Sequence, residues 1–405
     1  MAKNRPVRIL VTYGWCRTAY VVAESLARAG YEVYGCDDSR WNMLSCSRHV
    51  CGSDVVSNPF RDPEQYVKDI AGIVRKRGID ILLPVHEDAL AIRRFGGLLP
   101  DGLMLISPGL EALLVAADKL AMVRVAERAG VPVPRTFSPA SSIEAGAAAA
   151  ALGGPSILKT RRGNSGKGVL LVDSPTEVPS AWDGMVRRFG LPAGREPIIQ
   201  EFIEGELYGS CFLASRGTVK AVFLEKYLRW KEGKFGTSVL REPLDWPLLA
   251  DHTRRIVKEL SWTGIGHLDF VGSRNEDRAW LLEMNPRFWG AVNMAVQNGY
   301  DFPRGLVTMW MNGEPDAQAF SPRTTATRSL WMMGGVIAVI QNKGLSAAAS
   351  LVPSLARALL PGQGVVFDDF RWGDPLAFVA EAGQYLIRFL RSGMSMNPVE
   401  EEMLR

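Results

Sequence analysis

The stretch "GIGHLDFVGSRNEDRAWLLEMNPR", residues 264–287, decides how this chain is read. Two apolar runs flank a polar turn around Asn275–Glu276, the pattern of a β-hairpin. Folded symmetrically about residue 276, the hairpin sets Asp269 opposite Glu283 and His267 opposite Asn285. Period-two alternation then puts all four side chains on one face. Opposed carboxylates in a sheet have Cβ atoms roughly 5 Å apart and repel each other. On a buried face such a pair calls for a cation or a proton. A hard divalent ion takes oxygen ligands from carboxylates and amides, and Mg2+ commonly combines one or two carboxylates with substrate phosphates. Asp269, Glu283 and Asn285 therefore read as a Mg2+–nucleotide site, and Mn2+ is the other ion the donors suit. A solvated hairpin face is the plainer alternative, but the apolar flank "LLEM" and the Pro-Arg stop oppose it. On this reading a Glu283→Gln change relieves repulsion and leaves the fold as stable as before, or slightly more so. Next, "FWGAVNMAVQNG" reads as a helix closed by Gly299, so Arg287 stands just before a helix N-terminus. A positive helix end beside a guanidinium favours an anion.

Upstream, "DKLAMVRVAERAG" is a helix with Asp118 at its start and Gly130 after its end. "PSILKT" is a strand with Lys159 near its end. "RRGNSGKGVLLV" follows, a loop with Gly163, Gly166 and Gly168 that runs into another strand. Glycines between two strands let backbone N–H groups fold over a phosphate chain at little steric cost. It is not a P-loop, because GxxxxGK[ST] is absent and a strand follows rather than a helix. "IIQEFIEGELYGS" gives a short strand and then Glu201, Glu204 and Glu206 around Gly205. Such a segment can hold an adenine edge through its main chain and ribose hydroxyls through a carboxylate. A polar turn with exposed glutamates is the simpler reading. "LRWKEGKFGTSVLRE", residues 228–242, is basic and glycine-containing. It reads either as an exposed hairpin loop or as a flap over substrate, with Lys226 or Arg241 gripping a carboxylate.

Residues 7–110 alternate short apolar runs with helical patterns: "RILVT", "YEVYGC", "IDILLP" and "LMLIS" are strands, and a helix near 63–77 stops at Gly78. That is the pattern of a doubly wound parallel α/β domain. Ligand loops belong at its strand C-termini, here Tyr13–Arg17, Asp37–Asp38 and "HEDA" from His86. Asp37 sits where a ribose-binding acid would, but "YGWCRTA" has one glycine where a dinucleotide fingerprint has three. A nicotinamide-dependent oxidoreductase is thus an alternative carried by the α/β pattern alone. The last stretch, residues 312–405, carries no independent catalytic motif. It reads as packing onto the preceding domain or as a homodimer surface.

Bulk composition bounds these readings. The chain has 405 residues, 47% hydrophobic and 22% charged, with a net charge of +4. It is long enough for two or three domains. No dense basic run points to nucleic acid, and no apolar stretch is long enough for a membrane span. Five cysteines and no signal-peptide pattern suggest a soluble, cytoplasmic protein. The cluster Cys36, Cys46, His49 and Cys51 matches no common zinc spacing and reads as reduced, partly buried thiols.

The ordered motifs "DK", "SILK", "RRGNSGKG", "QEFIEGE", "HLDF" and "EMNPR" from Asp118 onward resemble an ATP-grasp domain. Residues 7–110 resemble the α/β domain that precedes it in that superfamily. The resemblance implies an N-terminal domain over 1–115, a two-lobed ATP-grasp domain over 116–311 and a small C-terminal region over 312–405. It implies that Lys119 and Lys159 hold ATP phosphates, and that the loop with Gly163, Ser165, Gly166 and Gly168 covers them. Glu201, Phe202 and Ile203 would hold adenine, and Glu206 the ribose. Asp269, Glu283 and Asn285 would bind Mg2+, and Arg287 would stabilise an acyl phosphate and the tetrahedral intermediate. His267 would orient an acceptor or a metal ligand, and Lys226, Arg241 and Trp289 would line the substrate site. The similarity is to carboxylate–amine ligases such as the carbamoyl-phosphate synthetase large chain and the L-amino-acid ligases. It implies small carboxylate and amine substrates. Asp269 departs from the pattern, since many members have Glu or Gln there. A non-catalytic ATP-binding sensor would keep the same motifs.

Overall fold

The computed structural model describes residues 5–163, 166, 168–231, 236–323, 327–343 and 364–391. Its first sheet is parallel throughout: β1 Arg8–Val11, β2 Glu32–Asp37, β3 Gly52–Val55, β4 Ile81–Leu83 and β5 Met104–Leu105, in the order β3-β2-β1-β4-β5. The helix Pro63–Arg77 has Asp62 accepting from the Gln65 N–H, proline at its first position, and Gly78 in the left-handed region at φ 62°. These are the start and stop signals its sequence carries. β3, "GSDV", is too polar to stand out as a strand in the sequence.

A small lobe follows, built on β6 Thr136–Phe137, β7 Ser156–Lys159, β8 Val169–Val172 and β9 Ile198–Glu201, in the order β6-β9-β7-β8. The large lobe carries β10 Glu206–Ser215, β11 Thr218–Trp230, β12 Ser238–Leu244, β13 Gly264–Ser273 and β14 Arg278–Asn285. β15 Arg328–Leu330 and β16 Val365–Phe367, from the last stretch of the chain, extend the same sheet in the order β14-β13-β10-β11-β12-β15-β16. The helix Pro375–Arg391 then returns to the N-terminal domain. There Gln384 donates to Ser39 Oγ at 2.6 Å, and Ser47 Oγ donates to Asp374 at 2.7 Å.

One apolar core joins the N-terminal sheet to the large lobe. It runs from Ile9, Val11 and Leu83 through Phe288 and Trp289 to Cys211, Leu213 and Phe302. The two domains therefore share buried surface, and the loops after β1 and β4 are held over the large lobe. Among the described residues no helix is long and apolar enough to cross a membrane.

Candidate active site

β13 and β14 pair His267 with Asn285 and Asp269 with Glu283. The register slips between Asp269 and Phe270, so that Phe270 faces Leu281 and Leu282 is the extra residue of a β-bulge. The bulge is decisive. Extended from the turn without it, the ladder would bring Leu282 opposite Asp269 and send Glu283 to the other face.

The two carboxylates are not equivalent. Burial pushes Glu283 up, but Lys119 and then Lys159 outweigh it and hold the group below its usual range. Lys119 Nζ lies 3.1 Å from Glu283 Oε2 and also donates to the Gly163 carbonyl at 2.8 Å. Asp269 is raised, first by burial and also by Glu283, against the pull of His267. Asn285 Nδ2 donates to Asp269 Oδ2 at 2.9 Å, and the Tyr227 hydroxyl donates to Oδ1. Lys159 is 7% exposed. Burial, with Lys119 beside it, lowers its ammonium to about 8 despite the attraction of Glu283.

The loop after β7 keeps its shape through glycine. Gly163, Gly166 and Gly168 have φ of 110°, 74° and 70°, and a Cβ on Gly168 would lie 2.3 Å from Thr160 Oγ1. No other residue fits there without moving the β7–β8 turn. Ser165 lies outside the described residues. Along the next segment, Glu201 N–H donates to Arg135 O at 2.9 Å and Phe202 N–H to Pro155 O at 3.3 Å. Among the described residues the Ile203 N–H has no protein acceptor. The Glu201 carboxylate pairs with Arg135 at 3.0 Å, so its side chain is already engaged. Glu206 accepts from Lys226 Nζ at 2.6 Å and from the Tyr208 hydroxyl at 2.7 Å.

One expectation needs correction. Arg287 does not precede a helix end: the helix there is Val292–Gln297, six residues long. The Gly290 carbonyl accepts Arg17 Nε at 3.1 Å instead, tying residues 288–291 to the N-terminal domain. Arg287 is held by side chains. Its Nε donates to Glu87 Oε1 at 2.7 Å, Nη1 to Phe288 O at 2.8 Å and Nη2 to Asn285 Oδ1 at 3.2 Å. Lys226 and Arg241, the alternatives for gripping a carboxylate, are placed differently. Lys226 stands opposite Glu242 and Arg241 opposite Tyr227, so they occupy opposite faces of the β11–β12 ladder. Arg241 already meets the buried Glu225 at 2.9 Å and lies over the Tyr227 ring. Residues 232–235, at the tip of the proposed flap, lie outside the described residues.

His267 is built into this buried layer. Its Nε2 is 3.0 Å from the Tyr227 oxygen and 3.5 Å from Glu225, and its ring stacks on Trp289. Sequence reasoning missed Glu225, Tyr227 and Glu87. Glu225 carries one signal, an acid inside the apolar strand "AVFLEKYL". Glu87 sits in a loop singled out by position alone. Among the described residues, the one His/Cys/Asp/Glu group close enough to share a metal is Cys211, Glu225 and His267, and Arg241 already neutralises its carboxylate. Cys36, Cys46, His49 and Cys51 are not gathered. Asp37 does not wait for a ribose: it is 3% exposed and accepts from the Trp15 and Ser39 N–H groups.

A cavity of about 1710 Å³ joins these groups, from Phe202 and Ile203 past Lys159, Asp269 and Glu283 to Arg287 and Trp289. A single small-ligand pocket occupies roughly 300–1,000 Å³, so this one has room for a nucleotide and a further substrate. The cradle fits Mg2+ and ATP: the Ile203 main chain, the buried Lys159 ammonium, two opposed carboxylates with an amide, and the loop glycines Gly166 and Gly168 face one space, with Lys119 held against Glu283.

Residues 116–291 match the ATP-grasp domain family. Those residues form an ATP-grasp domain. The chain is 27% identical over 251 residues to D-alanine–D-alanine ligase of Ralstonia pickettii, covering 57% of this chain and 71% of that one. It is 29% identical over 189 residues to the formate-dependent phosphoribosylglycinamide formyltransferase of Parasynechococcus marenigrum, covering 46% and 45%. The fold is shared with N5-carboxyaminoimidazole synthetase of Staphylococcus aureus complexed with ADP (TM-score 0.63, 14% identity, 83% of this chain and 85% of that one). The ATP-grasp match and the ligases among these relatives support an ATP-dependent enzyme that forms carbon–nitrogen bonds.

One pH effect follows from Lys159. In the free protein its ammonium loses its proton near pH 8, and bound phosphate would restore it. Mg·ATP binding is expected to take up a proton at about pH 8.5 and to weaken as pH rises further. Calorimetry at that pH in buffers of different ionisation enthalpy measures this; a buffer-independent enthalpy would contradict it.

Proposed function

We propose that this ATP-grasp ligase joins a small carboxylic acid to an amine through an acyl phosphate, releasing ADP and phosphate. The observation that carries the reading is the convergence of Lys159, Asp269, Glu283 and Arg287 on one cavity, with Lys119 against Glu283 behind its wall. Lys119 and Lys159 hold the phosphates, with the loop of Gly163, Gly166 and Gly168 over them. Ile203 N–H meets the adenine edge and Glu206 the ribose. Mg2+, held by Asp269, Glu283 and Asn285, would neutralise phosphate charge.

A carboxylate oxygen of the acid attacks the γ-phosphorus; the new O–P bond forms as the bond to ADP breaks. The amine nitrogen then attacks the acyl carbon. The C–N bond forms, phosphate leaves with that carboxylate oxygen, and the nitrogen gives up a proton. Arg287 carries the charge on the transferring phosphoryl group and the oxyanion. His267, fixed by Tyr227 and Trp289, positions Asp269. Catalysis here is placement and charge neutralisation, with no side-chain nucleophile required.

The test is a screen for ADP release with amino acids, singly and in pairs, followed by mass spectrometry of the products. An amide together with ADP supports the reading. ADP-free mixtures across the panel would contradict it.

A further inference from the structure

The cavity continues past Arg287 and Trp289 into a chamber walled by three parts of the chain: the loop after β1, Trp289, and the C-terminal residues Trp331 and Tyr385. Its wall is a chain of rings. His86 stacks on Tyr13 with centroids 4.2 Å apart; Tyr13 lies 5.8 Å from Trp15, Trp15 5.8 Å from Tyr385, and Tyr385 5.9 Å from Trp331. Arg17 lies 3.8 Å over Trp331, and Arg388 4.0 Å over Trp15. Trp331 is pinned, because its Nε1 donates to Glu381 at 3.3 Å. Two other indole N–H groups, on Trp15 and Trp289, are buried and have no acceptor among the described residues.

Ring faces, stacked guanidinium groups and vacant N–H donors suit a ligand with a flat apolar body and an acceptor-rich head. Aromatic rings prefer offset or edge-on ring partners, and a carboxylate satisfies N–H donors. We infer that the acid activated by this enzyme bears an aromatic side chain, its ring held between the Tyr13–Trp15 loop and Tyr385, and its carboxylate turned toward Trp289 and Arg287. This inference rests on the ligase reading and specifies the substrate class for the same site. It also accounts for the C-terminal stretch, where Tyr385 and Trp331 close a chamber that the ATP-grasp domain leaves open.

The test uses hydroxylamine as the amine, so that an acyl phosphate is trapped as a hydroxamate. Phenylalanine, tyrosine, tryptophan, alanine and glutamate are compared as acids with Mg·ATP. The aromatic acids are expected to exceed alanine and glutamate in kcat/KM by at least about tenfold, the scale of one good ring contact plus its buried area. Trp15→Leu and Tyr385→Leu should each lower kcat/KM for phenylalanine by about tenfold, raising KM more than lowering kcat, with ATP affinity kept. A tenfold preference for alanine or glutamate, or variants that leave phenylalanine kinetics unchanged, would overturn the inference. Thermal shifts in the presence of a non-hydrolysable ATP analogue separate the two claims. If no acid yields ADP and hydroxamate while phenylalanine raises Tm and alanine does not, the chamber assignment stands and the ligase reading falls. Equal shifts for both acids, or none, overturn the chamber assignment.

Discussion

Arg287→Ala is expected to slow amide formation at least about a hundredfold while Mg·ATP still binds. The residue's proposed role arises after ATP is in place, on charge that develops in the transition state, so its loss falls on kcat. Removing a comparable oxyanion donor costs about 3–4 kcal/mol. The structure adds a second consequence. Arg287 is the counter-charge of Glu87, at 2.7 Å, and both side chains are largely buried. Burial pushes Glu87 up, and Arg287 and then His86 hold it well below the carboxylate range. Removing one member of such a pair costs roughly 3–5 kcal/mol, so the melting temperature should fall as well. The Arg287→Ala/Glu87→Gln double variant separates the two effects: stability should return and activity should not. Lysine should rescue poorly, since an ammonium lacks the planar fork that reaches Glu87, Phe288 O and Asn285 together. A double variant that regains the parent rate would assign Arg287 a structural role alone.

Glu283→Gln is expected to raise the Mg2+ requirement and abolish most activity, because it removes a charged donor from the β13–β14 face. Its effect on the metal-free fold reverses the expectation from sequence. Two opposed carboxylates suggest relief of repulsion, but the structure sets Lys119 3.1 Å from Glu283 and buries Lys159 nearby. Glutamine would leave two buried ammonium groups without their nearest counter-charge. Glu283 is 23% exposed at its side chain, so the loss should lie toward the lower end of the roughly 3–5 kcal/mol range for a broken buried pair. Melting temperature without metal, and rate against Mg2+ concentration, test both parts. A variant more stable than the parent, with activity at ordinary Mg2+, would contradict the assignment.

The parts of the site visible in the sequence are those with local periodicity. The pairing of Asp269 with Glu283 is legible because the hairpin turn is short and polar and its flanks alternate. A symmetric fold reaches the observed pair, but the bulge at Leu282, which makes it true, leaves no mark in the sequence. Lys159 and the three loop glycines are legible because "SILK" and a glycine-rich turn are contiguous. What stays hidden is what depends on distance along the chain. Glu87 meets Arg287 across 200 residues, and Trp15 meets Tyr385 between opposite ends of the protein. No period or motif encodes such encounters. They follow from the core that docks the N-terminal domain onto the large lobe. The helix expected from Phe288 fails for a related reason. The helix begins only at Val292, and the segment before it is tied to the N-terminal domain through Arg17 and the Gly290 carbonyl.

The most direct test of the acyl-phosphate account follows an oxygen atom. The enzyme is given Mg·ATP, an amine, and an acid labelled with 18O in its carboxylate, and the products are separated by mass spectrometry. ADP together with one 18O in inorganic phosphate per amide formed is the predicted result, because the attacking carboxylate oxygen leaves with the phosphoryl group. AMP carrying the label, with pyrophosphate released, would contradict it.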